Sequence, residues 1–306
     1  MKLKIKNKNI LSLNELEPKE IEHLLDLGLE LKKQNKKGDE KPLLKNKTLA
    51  MIFEKPSTRT RVSFEVGMLQ LGGHALTLSS DNLQMSRGET ISDTAKALSR
   101  YVDVIMARVY DHDVLEEFSE HSNIPVINGL SDLYHPCQTL ADFMTIKEHK
   151  KNLKKIKIAW IGDGNNVCNS LIFGCSKLKT KISVATPDGF EPSNIAISTA
   201  KLHTDIEITN DPIKAVEDAD VVMTDTFISI HNTDEDRLEK FLPKFQVNAD
   251  LMGKAKKDAI FLHCLPAKRD QEVTSDVIDG PQSVVWDEAE NRLHIQKALL
   301  VSLLNV

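Results

Sequence analysis

Short apolar runs rich in Val, Ile and Leu recur along this 306-residue chain, each of strand length. One series lies at 48–54, 75–78, 102–109 and 124–127. A second lies at 156–161, 182–186, 206–208, 221–224, 260–263 and 284–286. Most are continuous rather than alternating, as expected for strands buried on both faces. Between them, residues 13–36, 59–71, 89–101, 138–149, 167–178 and 289–304 carry apolar positions at helical intervals. In 59–71, for example, Phe64, Met68 and Leu71 stand at i, i+4 and i+7. Ser12 and Glu15 have capping-box spacing ahead of the first helix. Strand and helix alternate twice over, which predicts an α/β fold of two lobes, each a mostly parallel sheet flanked by helices. The length agrees with two domains. The seam falls at the helix 138–149, giving lobes 1–140 and 141–288, with the C-terminal helix 289–306 returning to the first lobe.

Charge narrows the partners. Forty-five acidic and 40 basic side chains leave a net charge of -5, mixed in sign and without a charged tail. Nucleic acid and anionic membrane surfaces are therefore disfavoured as main partners. No run of about 18 apolar residues is present. Residues 1–13 alternate Lys or Asn with single apolar residues, unlike the apolar core of a secretory leader. The four cysteines, Cys137, Cys168, Cys175 and Cys264, form no CxxC pair, so a reducing, cytoplasmic setting is expected. Only 8 of the 40 basic residues are Arg, which makes the position of each Arg informative.

The candidate chemistry sits where strands end. Lys55-Pro56-Ser57-Thr58-Arg59-Thr60-Arg61 follows the strand 48–54 and opens a helix. Free backbone N–H groups and the positive dipole end favour an anion there, and Arg adds paired donors matched to phosphate oxygens. An ordinary N-cap needs one hydroxyl, whereas this stretch offers three hydroxyls and two guanidinium groups. Arg108 closes the strand 102–109, and His135 and Gln138 stand at the start of a helix, where neutral donors could reach a carbonyl oxygen. Gly162-Asp163-Gly164-Asn165-Asn166 imitates the start of a dinucleotide fingerprint. The third glycine is replaced by Val167, and no acidic residue ends the next strand, so a nicotinamide cofactor is disfavoured. Asn166 then reads as a polar ligand contact. Asp225 and Cys264 each follow a strand, with Ser229 in the loop after Asp225. Neighbours on a strand point to opposite faces, so His263 and Cys264 are not expected to act as a nucleophile–base couple.

Together these residues resemble the ornithine carbamoyltransferases of the aspartate/ornithine carbamoyltransferase family, over essentially the whole chain. Ser57-Thr58-Arg59-Thr60-Arg61 and His135-Pro136-Cys137-Gln138 are similar to its two carbamoyl-phosphate signatures. His263-Cys264-Leu265-Pro266, Asp163-Gly164-Asn165-Asn166 and Asp225-Thr226-Phe227-Ile228-Ser229 resemble its ornithine branch. The resemblance implies that Ser57, Thr58, Arg59 and Thr60 hold the phosphate of carbamoyl phosphate. Arg108, His135 and Gln138 would hold the phosphate or polarise the carbonyl, and Arg292 would reach the phosphate from the last helix. Gln84 would extend into a neighbouring subunit's site, in a homotrimer with shared sites. Asn166, Asp225, Ser229 and Ile230 would bind L-ornithine, and Cys264 and Leu265 would lie at the δ-amine and carbamoyl group. Arg59, Arg108, His135 and Cys264 form the expected catalytic set, with no metal or cofactor.

One departure stands out. Ser229 is followed by Ile230 and His231 where the family usually has Met and Gly. A positive φ at the Gly position would be strained with His. Putrescine or another amine is therefore a second acceptor to test. An NAD-dependent dehydrogenase and a non-catalytic anion-binding protein are the readings from other classes. The transfer itself needs a neutral amine, although an ornithine δ-amine titrates near the Lys value of about 10.4. Asp225 and Cys264 are the side chains placed to select or produce it.

Overall fold

The computed structural model describes residues 5–229, 233–234 and 236–304. They form two compact units, one of residues up to Ala141 together with those from Glu290 onward, the other Asp142–Ala289.

In the first unit, β1 (Thr48–Phe53), β2 (His74–Ser79), β3 (Val104–Arg108) and β4 (Val126–Leu130) pair in parallel in the order β2-β1-β3-β4. β1 and β3 are central and apolar apart from Thr48 and Arg108 at their ends. Ala50, Ile52, Ile105 and Ala107 join Leu115 and Phe118 in one core cluster. β2 is an edge strand with exposed positions, which its alternation of His, Thr and Ser with apolar residues permits. The helices are α1 (Pro18–Lys37), α2 (Thr58–Gln70), α3 (Ile91–Leu98), α4 (His112–His121) and the start of α5 (Pro136–Lys150).

The second unit carries β5 (Lys157–Ile161), β6 (Lys181–Ala185), β7 (Ile206–Thr209), β8 (Val221–Thr224) and β9 (Ile260–His263), all parallel in the order β7-β6-β5-β8-β9. Ala159, Ile161, Val222 and Phe261 pack with Phe227, Phe241 and Phe245 in its core. Its helices are α6 (Asn166–Leu178), α7 (Asn194–Lys201), α8 (Pro212–Val216), α9 (Leu238–Phe241), α10 (Ala249–Met252) and α11 (Ser275–Ile278). The last helix, α12 (Val285–Leu303), packs with the first unit from Glu290 onward.

In each sheet the chain steps outward from one central strand in both directions. The order reverses between β1 and β3 in the first unit, and between β5 and β8 in the second. Carboxyl strand ends at such a reversal leave a crevice in which α/β proteins bind ligands.

Two predicted elements differ. The helix expected from residue 13 is a 3-10 turn, Leu13–Glu15, capped by Ser12; the α-helix starts only at Pro18. Proline has no N–H and clashes with the preceding turn, so it opens a helix and cannot lie inside one. Glu20 Oε2 then accepts from Glu17 N–H at 2.8 Å, closing the first turn. The run 284–286 is not a strand. Only Ser283 bridges to Phe261 before α12 begins at Val285. A three-residue apolar run has no period of its own, and here it is the first turn of a helix with Val285 buried and Trp286 exposed.

Candidate active site

In the first unit, Phe53 lies in register with Arg108, and Glu54 N–H donates to the Arg108 carbonyl at 3.0 Å. The signature loop therefore leaves β1 beside the last residue of β3. Ser57 caps α2, its Oγ accepting from Thr60 N–H at 3.3 Å. Thr58 is exposed on the first turn, Arg59 is half-buried and Thr60 is buried. On the far side of β3, β4 leads through a turn to α5. The His135 carbonyl accepts from the N–H groups of Gln138 (3.1 Å) and Thr139 (3.3 Å). Asn128 holds that turn, with Nδ2 donating to the carbonyls of Leu11 (2.9 Å) and Tyr134 (3.3 Å).

Arg292 ties these pieces together. Its Nη1 donates to Gln138 Oε1 at 2.5 Å and its Nη2 to Thr60 Oγ1 at 3.2 Å, all three side chains being buried. Two helix starts 78 positions apart in the chain, at 60 and 138, are thus bolted by one guanidinium from the last helix. The unit gathers Ser57, Thr60, Arg108, His135, Gln138 and Arg292 at one sheet edge, with Thr58 and Arg59 on the adjoining turn. Two residues turn elsewhere. Arg61 is exposed and pairs with Glu65 one turn on, at 3.6 Å. Gln84 is exposed on a separate 3-10 turn, Gln84–Arg87, and no hydrogen bond joins it to this group among the described residues. An open cleft of about 840 Å³ runs beside the loop, lined by Lys55, Ser57, Thr58, Arg61, His74 and Thr77 among others. The arrangement concentrates cations, hydroxyls and helix N-termini, and suits a small anion.

The second unit presents the opposite charge. Ile161, Thr224 and His263 lie in one register row across β5, β8 and β9. The residues after them, the 162–165 loop, Asp225 and Cys264, consequently meet at the sheet edge. The Asp225 carboxylate is buried and receives three donors. Oδ1 accepts from Thr226 N–H (2.8 Å) and the Cys264 thiol (3.1 Å), and Oδ2 from Asn165 Nδ2 (2.8 Å). Burial pushes the Cys264 thiol well above its ordinary pKa, and the negative charges of Asp225 and Glu288 push it further. The Cys264 thiol therefore donates to Asp225, and its surroundings disfavour the thiolate. Asn166 is buried at the first position of α6, and Ser229 is half-buried beyond Asp225. Ile230 and His231 lie outside the described residues.

His263 is fully buried and occupied. Its Nδ1 accepts from Leu265 N–H at 2.9 Å, so the ring proton sits on Nε2, which donates to Glu272 Oε1 at 3.0 Å. This clamp holds Leu265 at φ 55°, in the left-handed region where a branched residue is strained. One ring nitrogen of His263 lies within 4.8 Å of both Cys264 Sγ and an Asp225 oxygen, a potential metal-donor set. Each of those donors is already engaged, however, and the set behaves as a hydrogen-bond network. His263 and Cys264 do not form a catalytic couple.

Sequence reasoning missed three groups. Asn165 contacts Asp225, as just described. Arg237 forms a buried ion pair with Asp163 at 2.7 Å and stacks over Phe190 and Phe241, 5.0 and 5.3 Å from the ring centroids. Burial raises the Asp163 carboxyl to about 6, against the pull of Arg237. Glu272 orients His263. Each partner lies on a different strand end or loop, and no local signal links them.

The loop glycines also have a packing reason. A side chain at Gly164 would collide with the backbone of residues 190–192, and Gly162 has φ 123° against the Phe227 ring. Asn165 Oδ1 accepts from the N–H groups of Val167 (3.0 Å) and Cys168 (3.1 Å). Those are the helix donors a dinucleotide pyrophosphate would need.

Known proteins resemble the chain over both units. The carbamoyl-P binding domain of the aspartate/ornithine carbamoyltransferases matches residues 8–148, and their Asp/Orn binding domain matches residues 154–303. The ornithine carbamoyltransferase of Cenarchaeum symbiosum is 58% identical, the match covering 98% of this chain and 99% of that protein. That of Bacillus subtilis is 54% identical, covering 97% and 94%. The solved structure of the Pyrococcus furiosus ornithine carbamoyltransferase superposes with a TM-score of 0.94 at 52% identity, covering 98% of this chain and 97% of that one. The chain belongs to the aspartate/ornithine carbamoyltransferase family.

Proposed function

We propose that the protein transfers the carbamoyl group of carbamoyl phosphate to the δ-amine of L-ornithine, giving L-citrulline and phosphate. The observation that carries this reading is that one chain holds a cationic, hydroxyl-rich strand edge in its first unit and an oriented carboxylate in its second. It is supported by relatives of that name at 58% and 54% identity.

In this reading Ser57, Thr58, Arg59 and Thr60 hold the phosphate with the free N–H groups of α2. Arg108, His135 and Gln138 polarise the carbonyl, and Arg292 keeps Thr60 and Gln138 in place. Asp225 binds the α-amino group of ornithine with Asn166, Ser229 and Ile230, and Leu265 and Cys264 border the δ-amine. The neutral δ-amine attacks the carbamoyl carbon, and the oxyanion that forms is met by Arg59, Arg108 and His135, the kind of fixed donors that usually dominate such catalysis. The carbon–oxygen bond to phosphate then breaks, and phosphate leaves with the electron pair and takes up the proton the amine loses. Burial and the nearby carboxylates disfavour a Cys264 thiolate, so in this reading the amine arrives neutral. No step here draws on a metal or cofactor.

A homotrimer is part of the proposal. On the first unit, Val62 and Leu69 of α2 are 53% and 71% exposed and Leu76 of the edge strand is 48% exposed, an apolar face that suits a second copy. Sedimentation should give three times the 34.3 kDa chain mass. If Gln84 serves a neighbouring site, mixing inactive Gln84→Ala and Arg59→Ala chains should restore activity. No helix among the described residues is long and apolar enough to cross a membrane. The four free thiols fit a cytoplasmic setting.

The deciding experiment is a colorimetric ureido-product assay with ornithine and putrescine side by side. Citrulline formation at least a hundredfold faster is expected. Faster carbamoylputrescine formation would replace ornithine as the acceptor.

A further inference from the structure

A helix cap needs only an oxygen. Asn165 supplies one to α6 through Oδ1, which accepts from Val167 and Cys168 N–H, and Ser, Thr or Asp would serve equally well. The carboxamide NH2 is surplus to capping, and it is this group that donates to Asp225 Oδ2 at 2.8 Å. Two backbone donors fix Oδ1, so the amide cannot turn over and Nδ2 has one direction. Among the described residues it is the one donor to Oδ2, since Thr226 N–H and the Cys264 thiol both go to Oδ1. Without Asn165 the carboxylate would be held by one oxygen and could swing about its own axis. The donor is also uncharged. A Lys or Arg in its place would compete with a cationic ligand, and Arg237, the buried cation of this unit, is held by Asp163 instead.

We propose that Asn165 is a positioning residue for the acceptor: it locks the plane of the Asp225 carboxylate and leaves its full charge for the ammonium group of the amino acid. This rests on the reading that Asp225 binds that group. The test compares Asn165→Ser, Asn165→Asp and Asp225→Asn with the unaltered enzyme, in ornithine kinetics, carbamoyl-phosphate titration and thermal melting. Asn165→Ser keeps a capping oxygen and loses the donor. Its KM for ornithine should rise about tenfold or more, as for loss of a charge-assisted hydrogen bond, with kcat, carbamoyl-phosphate affinity and Tm little changed. Asn165→Asp keeps the cap and the shape but sets a second carboxylate against Asp225. The two must share a proton, so kcat/KM for ornithine should acquire an ionisation between about pH 5 and 8 that the unaltered enzyme lacks. A residue that only caps α6 would leave the ornithine KM of Asn165→Ser unchanged. Unchanged ornithine KM in both Asn165 variants, with Asp225→Asn impaired, would overturn the proposal. Unchanged KM in Asp225→Asn would instead overturn the reading of Asp225 itself.

Discussion

In the proposed reading the two strand edges solve opposite recognition problems with opposite materials. In the first unit, an anion is met by an excess of donors: hydroxyls at 57, 58 and 60, guanidinium groups at 59 and 108, and the N–H groups opening α2. Most of them come from one contiguous stretch after one strand. In the second unit, a cation is met by a single carboxylate whose orientation is set by three neutral donors from three different loops. The anion edge works by surplus, and losing one donor leaves others. The cation edge works by aim, and its two side-chain donors, Asn165 and Cys264, lie 60 and 39 positions from Asp225.

This contrast can be broken by variants that should each harm one ligand only. The largest effect is expected for Arg59→Ala, which removes a donor to the developing oxyanion and to phosphate. Turnover should fall by a factor of about 100–1000 with the fold intact by circular dichroism. Near-normal turnover would sink the phosphate-cradle assignment. Next comes Cys264→Ala. Because the thiol is a weak neutral donor to Asp225, ornithine kcat/KM should fall only about two- to tenfold, and carbamoyl-phosphate binding by titration should hold. The limbs of the pH–rate profile should not move, whereas a thiolate base would lose an ionisation along with its activity.

The smallest effect sharpens the comparison by separating stability from binding. His294 is buried in α12 of the first unit, near Lys32, Lys297 and Glu290. Burial, together with Lys297 and Lys32 and against the pull of Glu290, lowers its pKa to about 4. A His whose folded pKa lies below its unfolded value of about 6.5 must be charged on unfolding, so acid favours the unfolded chain. Its contribution is intact above pH 6.5 and lost as pH falls toward 4, by at most roughly 3 kcal/mol. Urea melts of His294→Gln should show a shallower loss over that window, with ornithine and carbamoyl-phosphate affinities unchanged at pH 8. An equal slope in both proteins would remove His294 from the account.

The same contrast explains what could be read in advance. All nine described strands overlap short runs rich in apolar residues, because strands covered by helices are apolar on both faces. The Ser57–Arg61 loop was legible because its chemistry is contiguous and exceeds what a cap requires. Arg292 could be placed by resemblance, but its bonds to Thr60 and Gln138 depend on how a helix from the far end of the chain packs. Asn165 was passed over because Asp225, its partner, lies 60 residues away. Pairwise chemistry across strand ends is a product of sheet order, which no single stretch encodes. The same limit hid Arg237 beside Asp163 and Glu272 beside His263. Pro18 is the reverse case, a local signal outweighed by a helical period that ran through it.

The register row of Ile161, Thr224 and His263 has a consequence for how the acceptor edge tolerates change. A slip of one residue in any of these strands would turn each side chain to the opposite face, against a different set of buried neighbours. Buried Val222 and Phe261 thus act as the gauge that sets the spacing between Asp225 and Cys264. A substitution deep in that interior, touching no ligand, should degrade discrimination between amines before it unfolds the chain. Selectivity in this enzyme is then a property of the whole sheet's fit, and drift in the interior would be felt first as a loss of fidelity.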